Sequence, residues 1–146
     1  MFNCKYYPVP IINKDTFRKK VEHLVKIVVL TMLQKSQYGT SVSVIPNKDI
    51  TVRFITYYLR INQKLVRKTY PLPIIGNTMK KLEGFRYATA LELNMGYYNI
   101  RLSLVSQDMM TIFNKFGKVR YNHLPMGVCF SGDIFQSNVD VLIGDI

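Results

Sequence analysis

Apolar residues recur at Phe17, Val21, Leu24, Val25 and Val28, the spacing of one helical face. Asn13 stands where it can cap that helix, and Asp15 falls in its electropositive first turn. The opposite face carries Arg18, Lys19, Lys20 and Glu22, which reads as a solvated charged surface. Ahead of it, Tyr7-Pro8-Val9-Pro10 is extended, because each proline disfavours helix in the residue before it. Beyond Gln34 the period changes to two. Val42 and Val44 alternate with Ser41 and Ser43, and a second run at 52–55 follows Asn47-Lys48-Asp49, which predicts a hairpin. Pro71 and Pro73 break the chain before a short helix at about 77–82. Residues 85–93 read as a strand, followed by a turn at 94–96 and another strand through Leu104. Runs at 111–116 and 119–124 flank Gly117-Lys118 as a second hairpin. Ser131 can cap a last helix with Ile134, Phe135, Val139, Leu142 and Ile143 as its apolar stripe. Helices mixed with hairpins, and no repeat or low-complexity tract, predict an α+β fold.

Composition supports a packed domain, or a piece of one: 146 residues, 48% hydrophobic, with 10 Tyr and 8 Phe. Charge adds more. Twenty Lys and Arg against nine Asp and Glu leave +11 at neutral pH, and such a surplus favours a polyanion through counterion release. DNA, RNA and acidic membrane share that attraction; nucleic acid is the expected partner. Cys4 and Cys129 lie far apart, with no His or Cys at metal spacing, and read as reduced thiols. The stretch 24–33 is too short to span a bilayer and contains Lys26, so no membrane association is expected. The N-terminus has no charged segment followed by an apolar one, and an intracellular protein is the expectation.

Four blocks carry a resemblance. Ile45-Pro46-Asn47-Lys48-Asp49 through Val52-Arg53-Phe54-Ile55, then Leu59-Arg60-Ile61-Asn62 and Tyr70-Pro71-Leu72-Pro73, resemble the fingers of gypsy-class LTR-retrotransposon reverse transcriptases. Leu91-Glu92-Leu93 with Gly96-Tyr97-Tyr98-Asn99-Ile100 is similar to the first catalytic motif of that family. Leu124-Pro125-Met126-Gly127, followed by Phe135-Gln136, resembles the next motif. The blocks follow family order and spacing from Tyr7 onward. The resemblance implies the fingers (about 1–82 and 102–132) and part of the palm (about 83–101 and 133–146) of a right-hand polymerase, ending before the Tyr-x-Asp-Asp hairpin.

Site roles follow from the resemblance. Lys48 and Arg53 match fingers residues that contact the incoming triphosphate, a task that suits cations on a hairpin. Tyr97 matches the residue under the sugar, and Met126 and Gly127 match the segment beside the templating pair. Gln136 is expected to satisfy local backbone groups. The family binds RNA or DNA template–primer and uses Mg²⁺ held by three aspartates, one in the first motif and two in the Tyr-x-Asp-Asp hairpin. Here Glu92 takes the place of the first, with the backbone carbonyl of Leu93 beside it as a second implied ligand. No two aspartates are adjacent in the chain, and Asp140 and Asp145 read as solvent-facing charges.

The longer Glu92 side chain displaces the carboxylate by about one C–C bond, and Mg²⁺ demands oxygens at roughly 2.0–2.1 Å. A misplacement of about 1 Å can cost on the order of 10²-fold in rate. Ile50 in place of a turn glycine, Tyr57 and Leu59 in place of charged residues, and Gly132 in place of a helix-starting proline are further departures. The expectation is therefore an inactive reverse-transcriptase remnant of marginal stability. Two alternatives stand beside it: a non-catalytic nucleic-acid-binding module, and the N-terminal fragment of a longer active enzyme.

Overall fold

A computed structural model describes residues 2–3, 10–47 and 51–144, with backbone only at Phe2, Asn3 and Ile11. In chain order the elements are β1 (Phe2–Asn3), α1 (Lys14–Lys26), β2 (Leu30–Leu33), β3 (Tyr38–Pro46), β4 (Val52–Thr56), α2 (Leu59–Asn62), α3 (Ile75–Lys81), α4 (Leu104–Met109), β5 (Thr111–Asn114), β6 (Gly117–Tyr121) and α5 (Ser131–Ile143). The fold is α+β, as the pattern predicts. One sheet runs β1-β3-β5-β6-β2. The first half of β3 lies parallel to β1 and β5, while its second half pairs antiparallel with β4. The Tyr7-Pro8-Val9 segment, expected to be extended, and Cys4, Lys48, Ile50 and Asp145 lie outside the described residues.

Helix α1 packs Phe17, Val21 and Leu24 onto this sheet and points Arg18, Lys19 and Glu22 to solvent. Asn13 is the capping residue by position, but its side chain makes no cap hydrogen bond. The helix stops two residues before Val28, which instead adopts φ +62° and is 62% exposed. A β-branched residue there is strained, and the reversal feeds Val29 and Leu30 into the core. The strand that follows, β2, hides in an apolar run that continues the helical pattern. The first hairpin forms as predicted, Val42 opposite Thr56 and Pro46 opposite Val52. The second turns two residues early. Asn114 pairs with Gly117, so Lys115-Phe116 is the turn, and the Phe116 N–H donates to Asn114 Oδ1 at 2.7 Å.

Two predicted strands are absent. Residues 85–93 are exposed irregular chain, and no described strand lies beside them to complete a ladder. Residues 96–99 form a 3₁₀ turn, and Ser103 then caps α4 by accepting from Ser106 N–H, so the chain coils where a strand through Leu104 was expected.

The final helix also corrects the sequence reading. Its cap position is Phe130, not Ser131; Ser131 is inside the helix and its hydroxyl donates to Pro125 O at 2.8 Å. Of its expected stripe, Leu142 and Ile143 are exposed, and the residues most deeply buried are Ser131 and Asp133. A Cβ added at Gly132 would meet nothing within 4 Å. Gly132→Ala is therefore expected to raise stability by about 0.5–1 kcal/mol, the helical cost of glycine. Urea unfolding of both chains checks it.

Candidate functional site

The β3–β4 hairpin presents Arg53 opposite Ile45, and its mouth is closed by Asn47 Nδ2 donating to Thr51 Oγ1 at 2.8 Å. Arg53 is exposed and borders a hollow of about 250 Å³ shared with Lys20, Asn47, Met95, Tyr98 and Met126. Two residues singled out in the sequence, Arg53 and Met126, are thus brought together. Lys20 is a correction. Assigned above to a solvated face, it is half-buried and supplies a second cation to this wall. Lys48 belongs to 48–50, outside the described residues.

Gly127 is held in an unusual geometry. Its φ is +97°, and a Cβ there would approach Thr56 O to 3.0 Å, so both backbone shape and space call for glycine. The segment is pinned from α2, where Asn62 Nδ2 donates to Gly127 O and Asn62 Oδ1 accepts from Cys129 N–H, each at 3.0 Å. Asn62 is a positioning residue that the sequence reading quoted without a role. Its only sequence signal is an amide side chain closing a four-residue helix.

Glu92, Leu93 and Tyr97 lie elsewhere, around a second hollow of about 400 Å³ walled by Leu91, Phe135 and Val139. The Tyr97 ring leans on Phe135 at 4.9 Å, whereas its neighbour Tyr98 packs toward Tyr121 and faces the first hollow. The site residues named from sequence therefore fall into two groups, with the turn at 96–99 between them. Gly96 lets that turn sit against α5, since a Cβ there would come within 2.7 Å of the Phe135 ring.

The donor set near Glu92 does not fit two Mg²⁺ ions. Glu92 is exposed, and among the described residues no three His, Cys, Asp or Glu side chains gather as a metal site. One carboxylate and the backbone oxygen of Leu93 fall far short of near-octahedral oxygen coordination.

Buried charge appears instead on α5. The Asp133 side chain is only 4% exposed and accepts from Arg67 Nε at 2.7 Å, from Arg67 Nη2 at 3.1 Å and from Tyr70 N–H at 3.2 Å. The Tyr70 hydroxyl donates to Asp140, which raises the Tyr70 pKa, and Gln136 Nε2 donates to Asp140 at 2.7 Å. Asp140 is thus an anchor, not a free surface charge, and Gln136 serves a side chain, not the backbone. Together these contacts fasten the 67–70 segment onto α5.

The fork of Arg67 holds the Asp133 carboxyl below its ordinary pKa. Because the folded pKa is the lower one, the unfolded chain takes up this proton first as pH falls. The stability contributed by Asp133 is therefore present above about pH 4, the ordinary Asp value, and lost below it. Asp133→Asn should lower the neutral-pH melting temperature by roughly 5 °C and flatten its fall between about pH 4 and 2. Melting curves across that range would show it; a variant as acid-sensitive as the parent would contradict it.

No protein-family model matches the chain. It is similar to the retrovirus-related Pol polyprotein from transposon 412 of Drosophila melanogaster, 26% identical over 148 residues that cover 97% of the chain and 12% of the relative. It is also similar to the Tf2-7 transposon polyprotein of Schizosaccharomyces pombe, 23% identical over 140 residues, 96% of the chain and 10% of the relative. Among solved structures, native prototype foamy virus protease–reverse transcriptase superposes with a TM-score of 0.87 at 22% identity, over 99% of this chain and 19% of that one. Foamy viral protease–reverse transcriptase in complex with dsDNA gives 0.83 at 18% identity, over 99% and 30%. Its complex with an RNA/DNA hybrid gives 0.75 at 18%, over 99% and 19%. The fold is reverse transcriptase-like, and the chain spans about a tenth of the length of the polyproteins it resembles.

Proposed function

We propose that the chain is a reverse-transcriptase segment of a gypsy-class LTR-retrotransposon polyprotein that grips template–primer nucleic acid but does not itself extend the primer. The observation that carries this reading is the separation of two capacities. Lys20 and Arg53 flank the same hollow as Met126, with the fixed Gly127 next along the chain. The acidic position, Glu92, borders the other hollow, and among the described residues no three His, Cys, Asp or Glu side chains gather there as a metal site. Phosphates would be held by charge-assisted hydrogen bonds from the cations, to which the resemblance adds Lys48. Asn62 keeps the 126–127 backbone fixed against that wall. The foamy viral complexes with dsDNA and RNA/DNA hybrid support nucleic acid as the partner class. The division into fingers (about 1–82 and 102–132) and part of the palm (about 83–101 and 133–146) belongs to the same reading.

A second reading is that this segment works inside a longer active reverse transcriptase, and the small share of the related polyproteins that it spans favours keeping it. Primer extension with Mg²⁺ separates the readings. This chain, and its Glu92→Asp version, are expected to add no nucleotide. Extension by either would overturn the first reading. Extension restored only when Glu92→Asp is placed in a continued chain would favour the second.

A further inference from the structure

A third hollow, of about 520 Å³, opens beside β6, away from the residues discussed above. Its basic lining comes from Arg101, Arg120 and His123, and no residue lining it is acidic. Arg101 and His123 face each other across a single antiparallel bridge, locked by Leu102 N–H donating to Asn122 O at 2.9 Å and Leu124 N–H to Ile100 O at 2.8 Å. Like charges opposite each other on paired chain are unfavourable. Burial and the nearby Arg101 guanidinium accordingly hold His123 below its ordinary pKa, against a weaker pull from the Val28 backbone.

The polar atoms of this pocket are incompletely used. Arg120 Nη1 donates to Asp108 Oδ1 at 2.7 Å, yet its buried Nε has no hydrogen-bond partner among the described residues. The buried His123 Nδ1 has none either. Such orphans are uncommon in a folded chain and ask for a ligand or water. The floor is firm, because Asn122 is fixed by Val28 O and Thr31 Oγ1, and Gln107 by Leu102 O. The rim is apolar, formed by exposed Ile27, Val28 and Leu104. Val28 sits there in its strained φ of +62°, the kind of outlier that gathers at binding sites.

We propose that this hollow binds the phosphate of a nucleotide unit, with Arg101 and Arg120 as its cations, His123 Nδ1 as a further polar contact, and Ile27, Val28 and Leu104 against the sugar and base. The site is separate from the Arg53 wall and does not depend on the function proposed for it. A phosphate would offset the Arg101 charge that disfavours protonation of His123 and engage the unpaired Arg120 Nε. The volume also falls within the range of small-molecule pockets, roughly 300–1,000 Å³.

The chain has two histidines, and His23 on the exposed face of α1 serves as an internal control. Ring resonances of both would be followed by NMR on the full chain during titration with AMP, and separately with adenosine. AMP is expected to move His123 while adenosine does not, with His23 unchanged throughout. Arg101→Gln should weaken AMP binding by about tenfold or more, the effect of losing a charged hydrogen bond. Arg53→Gln should leave the AMP response intact, so a failure at the other wall would not imitate a failure here. A short single strand of DNA that moves His123 and displaces AMP would assign the phosphate to nucleic acid; a strand that does neither would assign the site to free nucleotide. The proposal is overturned by equal responses to AMP and adenosine, by unchanged AMP affinity in Arg101→Gln, or by a silent His123 at millimolar AMP.

Discussion

Phe17→Ala is expected to destabilise the chain by about 3–5 kcal/mol, the usual loss for a fully buried phenylalanine. Phe17 has 0% exposure and sits where α1 meets both hairpins, its ring 4.9 Å from Phe54 and 5.8 Å from Phe116. Removing it takes away the shared contact of α1, β4 and the β5–β6 turn, and neighbours on three elements cannot all collapse into the gap. Domains of this kind have roughly 5–15 kcal/mol of stability in total, so the variant should be partly unfolded at 37 °C. Guanidinium unfolding followed by circular dichroism measures the difference, with Phe17→Leu as the milder comparison. A loss under about 1 kcal/mol would mean that α1 is not anchored through this ring.

Gly127→Val is expected to cost about 2–6 kcal/mol, adding backbone strain of roughly 1–3 kcal/mol to a similar cost of overpacking. Both terms are visible at the site: φ is +97°, and the new Cβ would press to 3.0 Å on Thr56 O. That oxygen is backbone at the end of β4, so relief requires moving either the hairpin or the 125–129 segment. The two hydrogen bonds of Asn62 resist the second movement. The variant should therefore lose nucleic-acid affinity at temperatures where it is still folded, because Met126 no longer faces Arg53 correctly. Melting and filter binding on the same preparation distinguish this from simple unfolding. Unchanged affinity in the folded variant would show that the segment lies off the binding surface.

What could be read in the sequence follows the range of the forces involved. The α1 face and the β3–β4 hairpin were legible, since each buries a periodic apolar set against one partner. Strand β2 was not, because Val29 and Leu30 belong to an uninterrupted apolar run whose only break is the backbone reversal at Val28. Residues 85–93 have strand-forming composition, yet a strand needs a neighbour, and none of the described strands supplies one. At α4 a local signal was overlooked: Ser103 caps the helix that the Leu102–Leu104 alternation disguised. The site divides in the same way. Arg53, Met126 and Gly127 could be picked out by motif; Arg53 and Met126 line one hollow, with Gly127 next along the chain. Lys20, Asn62 and Asp133 could not, because each acts through a contact with a distant part of the chain.

On the proposed reading, the +11 charge serves nucleic-acid grip independently of what Glu92 can do. The most direct test is the equilibrium affinity of the chain for a primer–template duplex, measured between about 50 and 200 mM salt. Neutralising about three phosphates predicts a slope of about −2.7 in log affinity against log salt, roughly a 40-fold loss over that range, with little dependence on sequence. Arg53→Gln should reduce the slope by about one. An affinity that stays constant across the range, or an Arg53→Gln chain that follows the parental line, would contradict the account.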